Sequence, residues 1–248
     1  GFGVFRDSPG KLALVRLSAT GEPDPNFPGD QFTVNRSADD GPAWWVVPLS
    51  NGQVVLGGAI MARQPVFGEG FYRRDLVRLR PHGVIDPTFN VFFGGRGEVR
   101  IRALAVRPDD RLVILGDFDA VNAIARPGVA VLQRDGEVEP SVNPTPSHWV
   151  AGAASGVVFN APDGGFWVGG AARTGGYCVE RLKPDGSPHL PFAVPHFNGP
   201  VAAILAFPDG RFVVGGRFDR VHGEFRSGLA WFDPVGGLLA EKPLIDRK

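Results

Sequence analysis

Three carboxylates stand where a chain could do chemistry. Asp117, Asp119 and Asp219 each follow a short apolar run that ends in glycine, and Asp119 and Asp219 fall at equivalent places in two copies of one pattern. Repetition favours a structural task, because a short Asp side chain readily accepts hydrogen bonds from turn N–H groups. In the functional alternative, strand ends project these carboxylates toward a channel mouth, where they would bind Ca2+ or sugar hydroxyls. No continuous Asp-rich calcium loop accompanies them, so Ca2+ is the one cofactor with any support, and that support is thin.

Aromatic and basic side chains make a second group. Trp44 and Trp45 are adjacent, so on a strand they face opposite ways. One can pack between layers while the other meets a sugar ring. The segment Met61–Arg74 is the longest departure from the repeated pattern and reads as an elongated loop, with Phe71, Tyr72, Arg73 and Arg74 giving it a contact-like composition. The bland account is a tolerated insertion. Five histidines, His82, His148, His189, His196 and His222, fall in or near turns, and His189 and His196 flank proline-rich sequence that could bring them together. Cys178 is the sole cysteine, which rules out an internal disulfide and a thiolate-rich metal site. There is no G-x-S-x-G elbow, P-loop or dinucleotide fingerprint, so no catalytic residue is assigned.

The elements that must position these groups repeat. Turn-plus-strand phrases begin at Asn51, Asp110, Asp163 and Asp209, and the first glycines of their paired endings, Gly57, Gly116, Gly169 and Gly215, are 59, 53 and 46 residues apart. A second phrase recurs as Leu14–Ser18, Leu76–Arg80, Val129–Gln133, Val179–Lys183 and Leu229–Asp233, each followed by a glycine turn. Two copies continue into Asp-Pro-x-Phe, at Asp24–Phe27 and Asp86–Phe89. Apolar runs of this length, bounded by Asp-Gly or Asn-Gly, are buried strands joined by tight turns. Each repeat supplies three strands and a short fourth, the size of one propeller blade. The expected fold is therefore all-β: a β-propeller of about four to five four-stranded antiparallel blades. It is one domain over 1–248, with a partial repeat 1–31 and repeats 32–90, 91–144, 145–193 and 194–248. The glycine pairs, including Gly58, Gly170 and Gly216, are expected on inner strands that crowd the channel.

Composition narrows the partners. The 248-residue chain carries 26 Lys+Arg against 26 Asp+Glu, a formal net charge of zero, so no global field draws nucleic acid. No apolar run is long enough for a membrane-spanning helix. Gly and Pro, at 35 and 23, punctuate apolar runs rather than marking disorder.

The stretch Pro208–Gly237, together with Leu76–Asn90, resembles the bacterial delta-60 repeat, a β-propeller repeat. The third full copy departs from it, with Ala171-Ala172-Arg173 in place of the Phe-Asp phrase. The resemblance implies a bacterial, secreted or surface-attached multi-repeat protein and no common reaction. The expected function is a non-catalytic interaction or scaffold module with a protein or glycan partner. The alternative is a lectin-like or glycan-active propeller with its site at the channel mouth. The chain opens mid-repeat at Gly1 without a Met, so the expectation is an incomplete ring, a fragment whose missing blade comes from additional repeats or another chain.

Overall fold

A computed structural model describes residues 2–8, 11–27, 32–34, 45–63, 71–149 and 156–240. Among these there is no helix. The first repeat contributes β1 (Phe2–Ser8) and β2 (Lys11–Arg16). The second has β3 (Phe32–Val34), β4 (Trp45–Pro48), β5 (Val54–Arg63) and β6 (Phe71–Leu79). The third has β7 (Phe93–Gly94), β8 (Arg100–Val106), β9 (Leu112–Asp117), β10 (Ala120–Val121), β11 (Ile124–Ala125) and β12 (Val129–Leu132). The fourth has β13 (Gly156–Asn160), β14 (Phe166–Ala171) and β15 (Tyr177–Leu182). The fifth has β16 (His196–Phe197), β17 (Val201–Ala206), β18 (Phe212–Gly216), β19 (Arg220–Val221), β20 (Glu224–Phe225) and β21 (Leu229–Phe232).

Every pairing is antiparallel, and the three main strands of a repeat pair in one order: β4-β5-β6, β8-β9-β12, β13-β14-β15 and β17-β18-β21. The fourth strand shrinks to a single bridge after each second turn, as in Leu79–Ile85, Leu132–Val138, Leu182–Pro188 and Phe232–Leu238. β16 pairs with β15 of the preceding blade and with β19 of its own repeat, so one short strand clasps two blades.

Side chains alternate across a strand, and each blade therefore has two apolar faces. In the second, third and fourth blades one face packs on the blade before and the other on the blade after. Four cores result. Phe27 of the first blade joins Val54, Leu56 and Val77 of the second. Val55 and Leu76 of the second join Leu104, Ile114 and Leu132 of the third. Val113, Leu115 and Val131 of the third join Phe166, Val168 and Leu182 of the fourth. Trp167 and Val179 of the fourth join Phe212, Val214 and Phe232 of the fifth. This is a β-propeller arrangement, with blades stacked face to face in chain order.

The ladders correct the repeat register by one residue in one blade. Leu76, Val179 and Leu229 stand opposite Gly57, Gly169 and Gly215, but Val129 stands opposite Leu115. Gly116 therefore aligns with the second glycine of the other copies, and Asp117 with Arg217. Leu115 faces Gly156 of the next blade, where its Cδ2 would lie at an ordinary contact distance of 3.7 Å from a Cβ. The glycine pairs also sit on the second strands β5, β9, β14 and β18 rather than on inner strands. In the third and fifth blades a bulge accounts for the glycine. The register shifts between Ile101 and Ala103 and between Val201 and Ala203, which drives a carbonyl into the neighbouring strand. A Cβ would meet Arg100 O at 2.3 Å from Gly116, and Pro200 O at 2.2 Å from Gly216.

Blades are also joined by polar clamps. Arg78 is 8% exposed; it donates to Asp86 Oδ2 from Nε at 3.0 Å and from Nη2 at 2.7 Å. Its Nη1 reaches across to the Arg134 carbonyl of the next blade, and its guanidinium lies 4.7 Å from the Phe89 ring centroid. The first blade repeats the device: Arg16 pairs with Asp24, covers Phe27 at 5.4 Å and donates to Pro81 O at 2.5 Å. The Asp-Pro-x-Phe phrase is thus the partner set of the Arg eight residues earlier. At the third blade Asp110 occupies the turn position that is glycine elsewhere, with φ 62°. Its carboxylate accepts from the Ser50 backbone N–H of the second blade at 2.9 Å and from Arg134 at 2.9 Å.

Two outcomes follow from the cores and clamps. Arg78→Ala should lower stability by about 3–5 kcal/mol, because it takes the two-pronged guanidinium from the buried Asp86 carboxylate and leaves only the exposed Arg80 at 3.8 Å as its cation. Chemical denaturation monitored by circular dichroism would show this, and an unchanged midpoint would refute the clamp. Val214 is fully buried between the last two blades. Val214→Asp should yield insoluble or unfolded protein, at a cost of several kcal/mol; soluble expression with a native melting temperature would contradict that placement.

Candidate functional site

Two hairpins carry the repeated carboxylates. β10–β11 turns through Asn122 and Ala123, at φ 49° and 63°, and β19–β20 through His222 and Gly223, at φ 50° and 84°. Positive φ at both central residues matches the strand twist of a two-residue hairpin. In the first, the Asp119 carbonyl accepts from Arg126 N at 2.9 Å; in the second, the Asp219 carbonyl accepts from Arg226 N at 2.7 Å. Their side chains also hold backbone or a neighbouring loop. Asp119 Oδ2 accepts from Arg96 N at 3.1 Å. Asp219 Oδ1 accepts from Asn198 Nδ2 at 2.5 Å, and Asn198 Oδ1 accepts from the backbone N–H groups of Asp219 and Arg220 at 3.1 and 3.0 Å.

Asp117 is at the end of β9 and belongs to a different network. Arg102, the bulge residue of β8, donates to its Oδ2 from Nε at 3.0 Å and Nη2 at 2.6 Å. Asp117 and Asp119 line one cleft of about 340 Å³ with the loop Gly95–Glu98 and Phe118. The cleft holds Arg96, Glu98 and two aspartates side by side, with Glu98 paired to Arg100 at 2.9 Å. Asp219 lies in the equivalent hairpin of the fifth repeat and takes no part in that cleft. Among the described residues no three His, Cys, Asp or Glu side chains are grouped to hold a metal ion.

The other candidates disperse. Trp45 begins β4 and is half-buried against two inter-blade cores. Trp44 lies outside the described residues. Phe71, Tyr72, Arg73 and Arg74 are strand residues, opposite Arg63, Ala62, Met61 and Ile60; their side chains lie outside what is described. The two ends of the expected loop, 61–63 and 71–74, are therefore paired strand, and residues 64–70 lie outside the described residues. The ladder resumes after a register shift between Gly57 and Ile60, which keeps backbone groups paired that a loop would leave to solvent.

One cluster is not legible as a motif. His148, His196 and His222 come from three separate segments, with ring centroids 6.3 Å apart for the first pair and 6.0 Å for the second. His196 meets these two rather than His189. Beneath them Glu180, 2% exposed, accepts from the backbone N–H groups of Ser147, His148 and Trp149 at 2.8, 2.6 and 2.6 Å. Glu180 holds the position filled by Val77, Ala130 and Ala230 in other blades, so a charged residue inside an apolar phrase was the available signal. Burial, followed by the neighbouring His222 and His148, holds the His196 imidazole below its ordinary value, with Glu180 opposing. Cys178 is fully buried next to this strand segment, and burial pushes its thiol up to about 12. It is a small core residue, not a nucleophile.

Residues 49–89 match the family model described as a domain of unknown function (DUF5122) beta-propeller. The matched stretch runs from the turn after β4 through β5 and β6 to the Arg78–Asp86–Phe89 clamp. No curated protein matches the chain. Fold and family model agree on the class, a β-propeller.

The histidine cluster sets a pH response. A folded-state imidazole held below the unfolded value of 6.5 favours the neutral form, so the unfolded chain binds more protons and stability falls as pH drops below that value. His196→Asn should flatten the melting-temperature profile between about pH 7 and pH 5. An unaltered slope in the variant would remove His196 as its source.

Proposed function

We propose that this chain is a non-catalytic interaction and scaffold module of a bacterial secreted or cell-surface repeat protein. The observation that carries the proposal is the employment of the carboxylates. Asp119 and Asp219 occupy one repeated turn and bond the loop beside it, and Asp117 is engaged by Arg102. Groups used this way position backbone. On the same small hairpins Ile124 and Phe225 are 44% and 65% exposed, apolar side chains suited to protein contact. The secreted or surface setting rests on the resemblance to the delta-60 repeat.

A lectin-like module is the second proposal, and the cleft favours it. Arg96, Glu98, Asp117 and Asp119 around about 340 Å³ offer several charged partners for sugar hydroxyls. A glycan array paired with thermal shift, with and without Ca2+, separates the two. The scaffold proposal expects no glycan-dependent rise in melting temperature. A glycan that raises it in the wild type, and fails to in Arg96→Ala, would transfer the assignment to the lectin. Asp119→Asn with Asp219→Asn should lower the melting temperature if the carboxylates are structural; an unchanged value would count against the scaffold account.

A further inference from the structure

We infer that the outer face of the fifth blade is a docking surface for another blade of the same repeat, supplied in a solution of this chain by a second copy. The face is defined by register. In the third blade Ala103, Leu115 and Val129 form one cross-strand row and Ala105, Val113 and Val131 the next. Val113, Leu115, Val129 and Val131 are at most 1% exposed, because the fourth blade covers them. In the fifth blade the same two rows are Ala203, Gly215, Leu229 and Leu205, Val213, Trp231. There Leu205 is 50% and Leu229 51% exposed. The opposite face of the same blade is buried, with Phe212, Val214 and Phe232 at 0%.

Four consecutive interfaces of this chain are built one way, the forward face of one blade on the backward face of the next. The fifth forward face continues that series, in register and in chemistry. Where Arg107 of the third blade donates to the Gly164 carbonyl of the fourth at 2.6 Å, the fifth blade has Phe207, stacked on Trp231 at 5.4 Å and 16°. The polar hook is replaced by more apolar surface. The occupant must present a flat apolar sheet face of matching twist, which is what a blade of this repeat offers. The first blade of the same molecule is described at β1 and β2 and leaves Leu205 and Leu229 half exposed. In a solution of this chain a second copy carries the same repeat and supplies the occupant; built like the four interfaces within the chain, the contact is head to tail, between unlike faces.

The test is sedimentation velocity of the chain over a wide concentration range, with Leu205→Glu/Leu229→Glu beside it and Val84→Glu as an exposed control on another blade. Val84 is 46% exposed. Concentration-dependent association that weakens by about two orders of magnitude in the double variant, and persists in the control, is the expected result. Both leucines are at the surface, so circular dichroism melts should match across variants. A monomer at every concentration, or association equal in the double variant, would overturn the inference.

Discussion

Each blade is apolar on both faces, and neither face is satisfied by the blade itself. That constraint organises the molecule. A strand's period of two sends alternate side chains to opposite sides, so every strand must read apolar at nearly every position, and every blade must have a neighbour on both sides. Among the described residues the four cores are therefore shared between blades, and no repeat has one of its own. Stability comes from contacts between neighbours in chain order, as in other repeat architectures. On the fifth blade the forward face leaves Leu205 and Leu229 half exposed.

Polar groups at the blade junctions answer a different need. Stacked apolar faces slide; directed hydrogen bonds to a neighbour's turn do not. Arg16 and Arg78 reach forward to turn carbonyls of the next blade while an aspartate eight residues on holds each guanidinium. Asp110 does the same work backward to Ser50, at the cost of a left-handed backbone that glycine adopts more easily. The turn glycines complete the fit. A Cβ at Gly236 would approach the Ala193 carbonyl oxygen to 2.0 Å, so the exit segment of the fourth blade passes where only glycine admits it.

Function on such a scaffold is carried by what projects from it. The hairpins β10–β11 and β19–β20 share one backbone plan, down to the Gly116 and Gly216 N–H groups that bond Gly128 O and Gly228 O, each at 3.0 Å. They differ in side chains: Asn122 against His222, Ile124 against Glu224, Ala125 against Phe225. The frame is constant and the perimeter varies. The third repeat thus carries an Asp-lined cleft, while His222 on the fifth repeat's hairpin joins His196 and, from the fourth repeat, His148.

The strands and turns were legible from the sequence alone, because their signals are local: apolar runs bounded by Asp-Gly and Asn-Gly, and phrases that recur. The Arg–Asp–Phe clamp was visible as two recurring phrases, though not as one device, since its parts are joined only when the second turn folds back. The glycine register of the third blade was misplaced, because Leu115 takes a glycine's place and only the ladder opposite Val129 reveals it. The strand pairing at 61–63 and 71–74 is hidden by a bulge at Gly57–Ile60 that breaks the period-two pattern. The convergence of His148, His196 and His222 over Glu180 was beyond any spacing rule. Three segments far apart in the chain meet there because blades stack in order and β16 clasps two of them. Local propensity thus set the elements. Which side chains meet was decided by packing between blades, where contacts depend on the register of two sheets at once.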